Sequence, residues 1–184
     1  MMPGERPKRE TGAARSDVQP RAGSEAMIDA LRASGPRPEL ARKLALFGQF
    51  VGTWDVDVVN MSPDGTSTSF KAEWRFGWAL GGRAVMDVWS APGYEHGVSV
   101  RFYDESIDAW RSTWIGPVRR IVRPFIARQS GSEIVLEGSF APGTLTRWIF
   151  SNIEERSFAW RNIESRDGGA TWTTVQRMEA VRRS

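Results

Sequence analysis

The spacing of apolar residues changes once along the chain, near Gly52. Before this point apolar residues recur at helical intervals, which predicts a short helix over residues 24–31 and a second helical stretch from Pro38. After it the period is two, and glycine, proline, aspartate and asparagine recur at the short intervals typical of turns. The pattern therefore predicts one or two short N-terminal helices followed by a series of β-strands.

The clearest strand covers residues 70–78, where aromatic and small residues alternate with charged ones. Gly81 and Gly82 follow and provide the positive φ angles of a tight hairpin, so residues 83–90 should pair with this strand. Similar stretches continue along the chain and give about ten strands joined by short loops. Closing sequential strands into a barrel removes the two exposed edges of an open sheet. We therefore expect an all-β fold, an antiparallel up-and-down β-barrel.

The first 22 residues differ from the rest in composition. They are rich in proline, glycine, arginine and serine around an isolated Val18, and they bury too little surface to offset the entropy lost on ordering. We expect residues 1–22 to form a disordered basic tail and residues 23–184 to form one β-barrel domain.

The net charge of +3 at pH 7 resides mostly in this tail, which carries five basic and three acidic residues. The barrel domain is therefore nearly neutral. Because a nucleic-acid footprint needs clustered cations on a folded face, we expect no nucleic-acid partner. A contact between the tail and an acidic partner remains open.

Residues that the chain lacks exclude several chemistries. It has no cysteine, and hence no disulfide, no thiolate metal site and no cysteine nucleophile. A secretory signal, an apolar run of membrane-spanning length and the common nucleotide, zinc and serine-hydrolase motifs are also missing. We expect a cytoplasmic protein with no metal, no cofactor and no membrane partner.

Several separate stretches resemble one family. Leu46 to Trp54 resembles the start of lipocalins, where a helix leads into a G-x-W motif whose tryptophan plugs the barrel base. Leu80-Gly81-Gly82-Arg83, followed by Tyr103-Asp104 and by paired aromatics, is similar to a bacterial lipocalin-like (calycin-type) domain family of unknown function. The resemblance covers roughly residues 40–183. It implies a barrel with an internal cavity, and it carries no established chemistry.

The resemblance also bears on individual residues. In lipocalins an arginine of the last strand covers the G-x-W tryptophan, and Arg177 is the first candidate here, with Arg182 second. A related haem-binding family ligates iron through a histidine late in the chain, whereas the single histidine of this sequence is His96. Residues 165–172 fit the S-x-D-x-G-x-T-W pattern of the Asp-box, which occurs once and indicates a structural hairpin staple.

The nine tryptophans either line a cavity or simply fill a narrow barrel. Trp54 fits the structural role. Six others share the strand parity of apolar neighbours and are our candidates for contacts to a bound molecule: Trp74, Trp78, Trp89, Trp114, Trp148 and Trp160.

Polar residues at apolar positions are the second set of candidates, because a buried charge is costly unless it is paired. Asp87 lies between Val85 and Trp89, and Arg123 lies between Ile121 and Phe125. If both face inward, they either neutralise each other or hold a polar group of a guest. The alternatives are a purely structural ion pair and a one-residue β-bulge that turns them outward.

Four further residues offer weaker candidates. Tyr103, Asn162 and Gln176 could orient a guest by hydrogen bonds, although each could equally be a satisfied core or rim group. His96, placed in a loop after the third strand, is a weak candidate for a general base.

Three functions remain open from the sequence. The first is binding of a small apolar or amphipathic molecule in the barrel, with tryptophans supplying affinity. The second is a cofactor-independent cyclase, isomerase or hydratase whose weak catalytic candidates are Asp87, Arg123, Tyr103 and His96. The third is an interaction domain whose basic tail engages an acidic partner.

Overall fold

The computed structural model describes residues 22–184, so the predicted tail lies outside the described residues except for Ala22. Helix α1 covers Ala22–Leu31, and a 3-10 turn at Pro38–Leu40 leads into helix α2, Ala41–Gly48. Within the described range, neither helix has the length and apolar character needed to cross a membrane.

Ten strands follow, as the period of two predicts. They are β1 Gly52–Met61, β2 Ser67–Ala79, β3 Ala84–Ala91, β4 Glu95–Asp104, β5 Ala109–Gly116, β6 Ile121–Ser130, β7 Glu133–Ala141, β8 Thr144–Ser151, β9 Ser157–Ser165 and β10 Thr173–Arg182. Each strand pairs antiparallel with its sequence neighbours, and β1 pairs with β10 to close the barrel. The predicted all-β barrel fold is confirmed.

One end of the barrel, which we call the base, is filled by aromatic packing. Leu44 and Phe47 of α2 and Phe50 in the following turn are almost completely buried. The ring of Phe50 lies 4.9 Å from those of both Phe150 and Phe158, and the Trp54 ring lies 4.7 Å from that of Phe158. Since α2 closes the base, the barrel interior can open only at the other end.

The guanidinium of Arg182 covers the G-x-W tryptophan at the base. It lies 4.1 Å from the Trp54 ring centre and donates hydrogen bonds to the backbone oxygens of Gln49, Val51 and Glu155. Gly52 has φ of 137°, and a Cβ there would lie 2.5 Å from Nη1 of Arg182. Glycine is therefore required both for the backbone conformation and for the approach of this arginine.

Arg177, the first candidate for this role, was the wrong choice. The register pairs Arg177 with Val59 and Arg182 with Trp54, so Arg177 lies five residues from the base and is exposed on the outer face. Alternation along β10 is what excludes it, because a strand places neighbouring side chains on opposite faces.

We expect Arg182→Ala to lower the free energy of unfolding by about 2 kcal/mol, because it removes charged hydrogen bonds to three carbonyls and the cation–π contact with Trp54. Urea unfolding followed by tryptophan fluorescence measures this loss. Arg177→Ala is the matched control and should change stability by less than about 0.5 kcal/mol. Equal effects of the two substitutions would contradict the assignment of Arg182 to the base.

The Asp-box hairpin between β9 and β10 has the predicted structural form. Asp167 accepts hydrogen bonds from Ser165 and from both the backbone and the side chain of Thr171, and these bonds hold the pKa of its carboxyl below its usual range. Trp172 donates to the Gly169 oxygen and packs under the Arg147 guanidinium, 4.2 Å away. The loop lies at the open end of the barrel.

Candidate functional site

A cavity of about 360 Å³ occupies the barrel interior at the end opposite α2. The residues that line it are Asn60, Met61, Trp74, Trp89, Tyr94, Glu95, Ser99, Trp114, Arg119, Ile121, Arg123, Trp148, Trp160, Asn162, Glu164, Val175, Gln176 and Met178. Its volume falls at the lower end of the ~300–1,000 Å³ typical of small-molecule sites.

Five of the six candidate tryptophans line this cavity: Trp74, Trp89, Trp114, Trp148 and Trp160. They contact one another around the wall, with ring centres 5.4 Å apart for Trp148 and Trp160 and 6.3 Å apart for Trp114 and Trp148. Space for the Trp114 indole comes from Gly97 on the neighbouring strand, where any Cβ would collide with that ring. The wall is thus a nearly continuous aromatic surface.

Several polar atoms in this wall have no hydrogen-bond partner. Within residues 22–184, four such buried atoms belong to residues lining the cavity: Nε1 of Trp89, Trp148 and Trp160, and Oδ1 of Asn162. A buried polar group without a partner costs about 1–3 kcal/mol in proteins. Each of these four atoms has almost no accessible surface, so a guest in the cavity could bond to them only after the surrounding side chains shift.

The charged groups of the cavity lie toward its open end. Arg123 is half-buried, its guanidinium lies 5.0 Å from the Phe140 ring centre, and it forms no salt bridge with any residue of the described range. Burial lowers the pKa of Arg123; the charge of Glu164 opposes this effect, and that of Arg119 adds to it. The guanidinium remains charged at neutral pH, because arginine is effectively always protonated in proteins.

Glu95 holds the turn that carries Arg119 at the mouth of the cavity. Its buried carboxylate accepts backbone N–H bonds from His96, Val118 and Arg119 at 3.0–3.1 Å. Arg119 in turn donates a 2.7 Å bond to the hydroxyl of Tyr94. No pattern in the sequence predicts this role for Glu95; the one available signal is a glutamate at the start of a strand, between two turn-forming segments.

Asp87 and Arg123 both face inward, but they do not neutralise each other. Asp87 forms a fully buried ion pair with Arg101 and accepts a 2.7 Å bond from Nε1 of Trp74. Arg101 also stacks on the Phe47 ring, 5.2 Å from its centre. The alternative in which Asp87 and Arg123 neutralise each other is wrong. Arg101 on the adjacent strand β4 pairs with Asp87, whereas Arg123 is on β6, three strands from β3, and lies beside Trp114 at the cavity.

Three other candidates lie away from the cavity. Trp78 packs against Gly48 at the base, and the hydroxyl of Tyr103 bonds to Asp108 at the same end of the barrel. His96 is in β4 and not in a loop; it is exposed on the outer face, where its Nδ1 lies 3.1 Å from the Ser90 hydroxyl. By contrast Gln176 lines the cavity and donates a 2.6 Å bond to Asn60.

Comparison with known proteins gives the fold. No family model and no curated protein matches the chain. Among solved structures, Rv2717c from M. tuberculosis is similar over 81% of this chain and 99% of its own, with 12% identity and a TM-score of 0.51. The S-type phycobiliprotein lyase CPES from Guillardia theta covers 76% of this chain and 91% of its own, with 13% identity and a TM-score of 0.49. The likeness to Rv2717c is one of fold alone, and the fold of this chain is a closed antiparallel barrel of ten strands.

Proposed function

We propose that this protein binds a small apolar or amphipathic molecule inside its barrel. The observation that carries the proposal is the cavity of about 360 Å³ with five tryptophans in its wall. Aromatic walls favour a planar or aliphatic guest by dispersion and stacking.

Arg123 gives this site its polarity. Neither of the cavity cations Arg123 and Arg119 forms a salt bridge in the described part of the chain. Arg119 donates a hydrogen bond to the Tyr94 hydroxyl, whereas the Arg123 guanidinium has no hydrogen-bond partner among residues 22–184. A guanidinium binds a carboxylate or carbonyl through directed N–H donors, and partial burial strengthens that interaction. In this proposal the apolar body of the guest lies among the tryptophans and its polar group faces Arg123.

The proposal is tested by calorimetric titration of the full chain with 2-naphthoate and with 2-naphthamide, a matched pair that differs in charge. We expect 2-naphthoate to bind with Kd of about 10–100 μM, which is a reasonable affinity for a ligand of this size. The neutral amide should bind about tenfold more weakly because it forms no charge-assisted bond with Arg123. Absence of measurable binding by both probes would contradict the proposal.

Two variants separate the cavity from the rest of the surface. Arg123→Gln should weaken 2-naphthoate binding about tenfold and leave 2-naphthamide binding almost unchanged. Arg177→Gln removes the same charge from the exposed outer face of β10 and should affect neither probe. If both variants weaken binding equally, the naphthoate site is elsewhere.

The catalytic alternative has less support in the geometry. Asp87 is buried below the cavity with its carboxylate bonded to Arg101 and Trp74, and it does not line the space where a guest would lie. His96 and Tyr103 are outside that space as well. Of the four catalytic candidates only Arg123 lines the cavity, and an arginine is a poor proton donor or acceptor near neutral pH.

A further inference from the structure

Strand β4 has its large apolar residues on the outer face of the barrel and polar residues on the inner face. Ser99 and Arg101 point into the barrel and are 1% exposed, whereas Val98, Val100 and Phe102 lie on the outer face. Phe102 is 44% exposed. In a half-buried antiparallel strand the alternation normally has the apolar set inside. This strand therefore has two faces that need cover, and the barrel interior supplies cover for one.

The outward apolar residues continue across the neighbouring strands in register. Val88 of β3 is opposite Val98, which is opposite Ile115 of β5, which is opposite Val122 of β6. We call the surface formed by Val88, Val98, Val100, Phe102, Ile115 and Val122 the β3–β6 outer face. Val122 is 64% exposed and Ile115 is 41% exposed.

The outer wall next to β3 is different. At outward positions β1 carries Asp55 and Asp57, and β2, which pairs with β3, carries Lys71 and Arg75, all exposed. Of the exposed large apolar residues on the described strands, four lie on β3–β6, one on β8 and one on β10: Val88, Phe102, Ile115, Val122, Leu145 and Val181. The four on β3–β6 lie on adjacent strands, and exposed apolar clusters are often functional surfaces.

We propose that the β3–β6 outer face is the interface of a symmetric dimer with a second copy of this chain. Neighbouring strands lie about 4.8 Å apart and residues two apart along a strand about 7 Å apart, so the six residues span roughly 200 Å². A standard interface buries about 800 Å² per partner with an apolar centre and a polar rim, so these six residues would form the centre and the surrounding polar residues the rim.

Two features favour a second copy as the occupant. A two-fold axis places the same apolar rows of both copies against each other, as in the face-to-face packing of β-sheets, and each copy covers the surface of the other. Arg111 lies opposite Phe102 on β5 and forms an ion pair with Asp104 of the same chain. The Arg111 residues of two associated copies would therefore both be neutralised, and they would not repel each other beside Phe102.

The N-terminal residues are a poorer occupant. Residues 1–21 contain Met1, Met2 and Val18 as their only large apolar side chains, and they carry five basic residues. Three such side chains are too few to cover six apolar residues on four strands. The second copy offers an apolar surface of equal size.

The test is the mass of the full chain in solution, measured by light scattering after size exclusion and by sedimentation velocity at about 100 μM. We expect wild type to have twice the chain mass of 20.6 kDa. Val122→Lys should raise the dimer dissociation constant at least about 100-fold, because it places an unpaired charge at an apolar interface. Val181→Lys is the matched control: Val181 is 57% exposed on β10, and that variant should remain dimeric.

Circular dichroism checks that both variants are folded, and 2-naphthoate binding checks the cavity separately, since Val122 faces away from it. A wild-type protein that is monomeric at this concentration would overturn the dimer. The same holds if Val122→Lys stays dimeric, or if Val181→Lys dissociates to the same extent. None of these results affects the proposed cavity function, because the probe titration reports on that function independently.

Discussion

Arg101→Met should lower the free energy of unfolding by about 3–5 kcal/mol, because it leaves the Asp87 carboxylate charged and unpaired inside the barrel. Both side chains of the pair are about 1% exposed or less, so water cannot replace the lost partner. Methionine keeps much of the apolar contact that the arginine stem makes with Phe47. Urea unfolding monitored by fluorescence and circular dichroism gives the change in stability directly.

A double substitution separates the charge effect from the packing effect. Asp87→Leu combined with Arg101→Met removes both charges, so the double variant should be more stable than either single variant. It should still be less stable than wild type, since Trp74 then loses the acceptor for its indole N–H. Arg111→Met, which breaks an exposed ion pair with Asp104 on the neighbouring strand, should cost less than about 1 kcal/mol.

An Arg101→Met variant within 1 kcal/mol of wild type would mean that the pair contributes no more than a surface salt bridge. The description of Asp87 as a structural group, sealed below the cavity, would then be incorrect. Its availability for chemistry in the barrel would have to be considered again.

Glu95→Ala should lower the free energy of unfolding by about 3 kcal/mol, because three backbone N–H groups lose a charged acceptor at a buried site. The residue is 4% exposed and holds both the start of β4 and the turn at Val118 and Arg119. Loss of this contact should also loosen the cavity mouth. We therefore expect the 2-naphthoate association rate to change together with stability, which stopped-flow quenching measures.

Two other glutamate substitutions serve as controls for Glu95→Ala. Glu95→Gln retains one acceptor oxygen and should lose about half as much stability as Glu95→Ala. Glu137→Ala removes an exposed glutamate paired with Arg147 on β7 and β8, and should cost less than about 1 kcal/mol. If Glu95→Ala is no more damaging than Glu137→Ala, the carboxylate does not hold the turn.

Local signals in the sequence were sufficient for most of the architecture. The period of two after Gly52, the Gly81-Gly82 hairpin and the Asp-box are features of a few adjacent residues, and each specifies its own backbone conformation. The closed barrel followed because ten short antiparallel strands have few other ways to avoid free edges. Five of the six candidate tryptophans line the cavity, because the alternation of residues along each strand correctly predicted that their side chains point inward.

The sequence by itself thus determined the elements, their order and the aromatic character of the barrel interior. Only the tertiary structure decided which face of β4 is inside, that Asp87 pairs with Arg101, and that Arg182 covers Trp54. These outcomes depend on the register between strands and on how far each residue lies from the base. Such distances join residues remote in sequence, and alternation within a single strand cannot specify them.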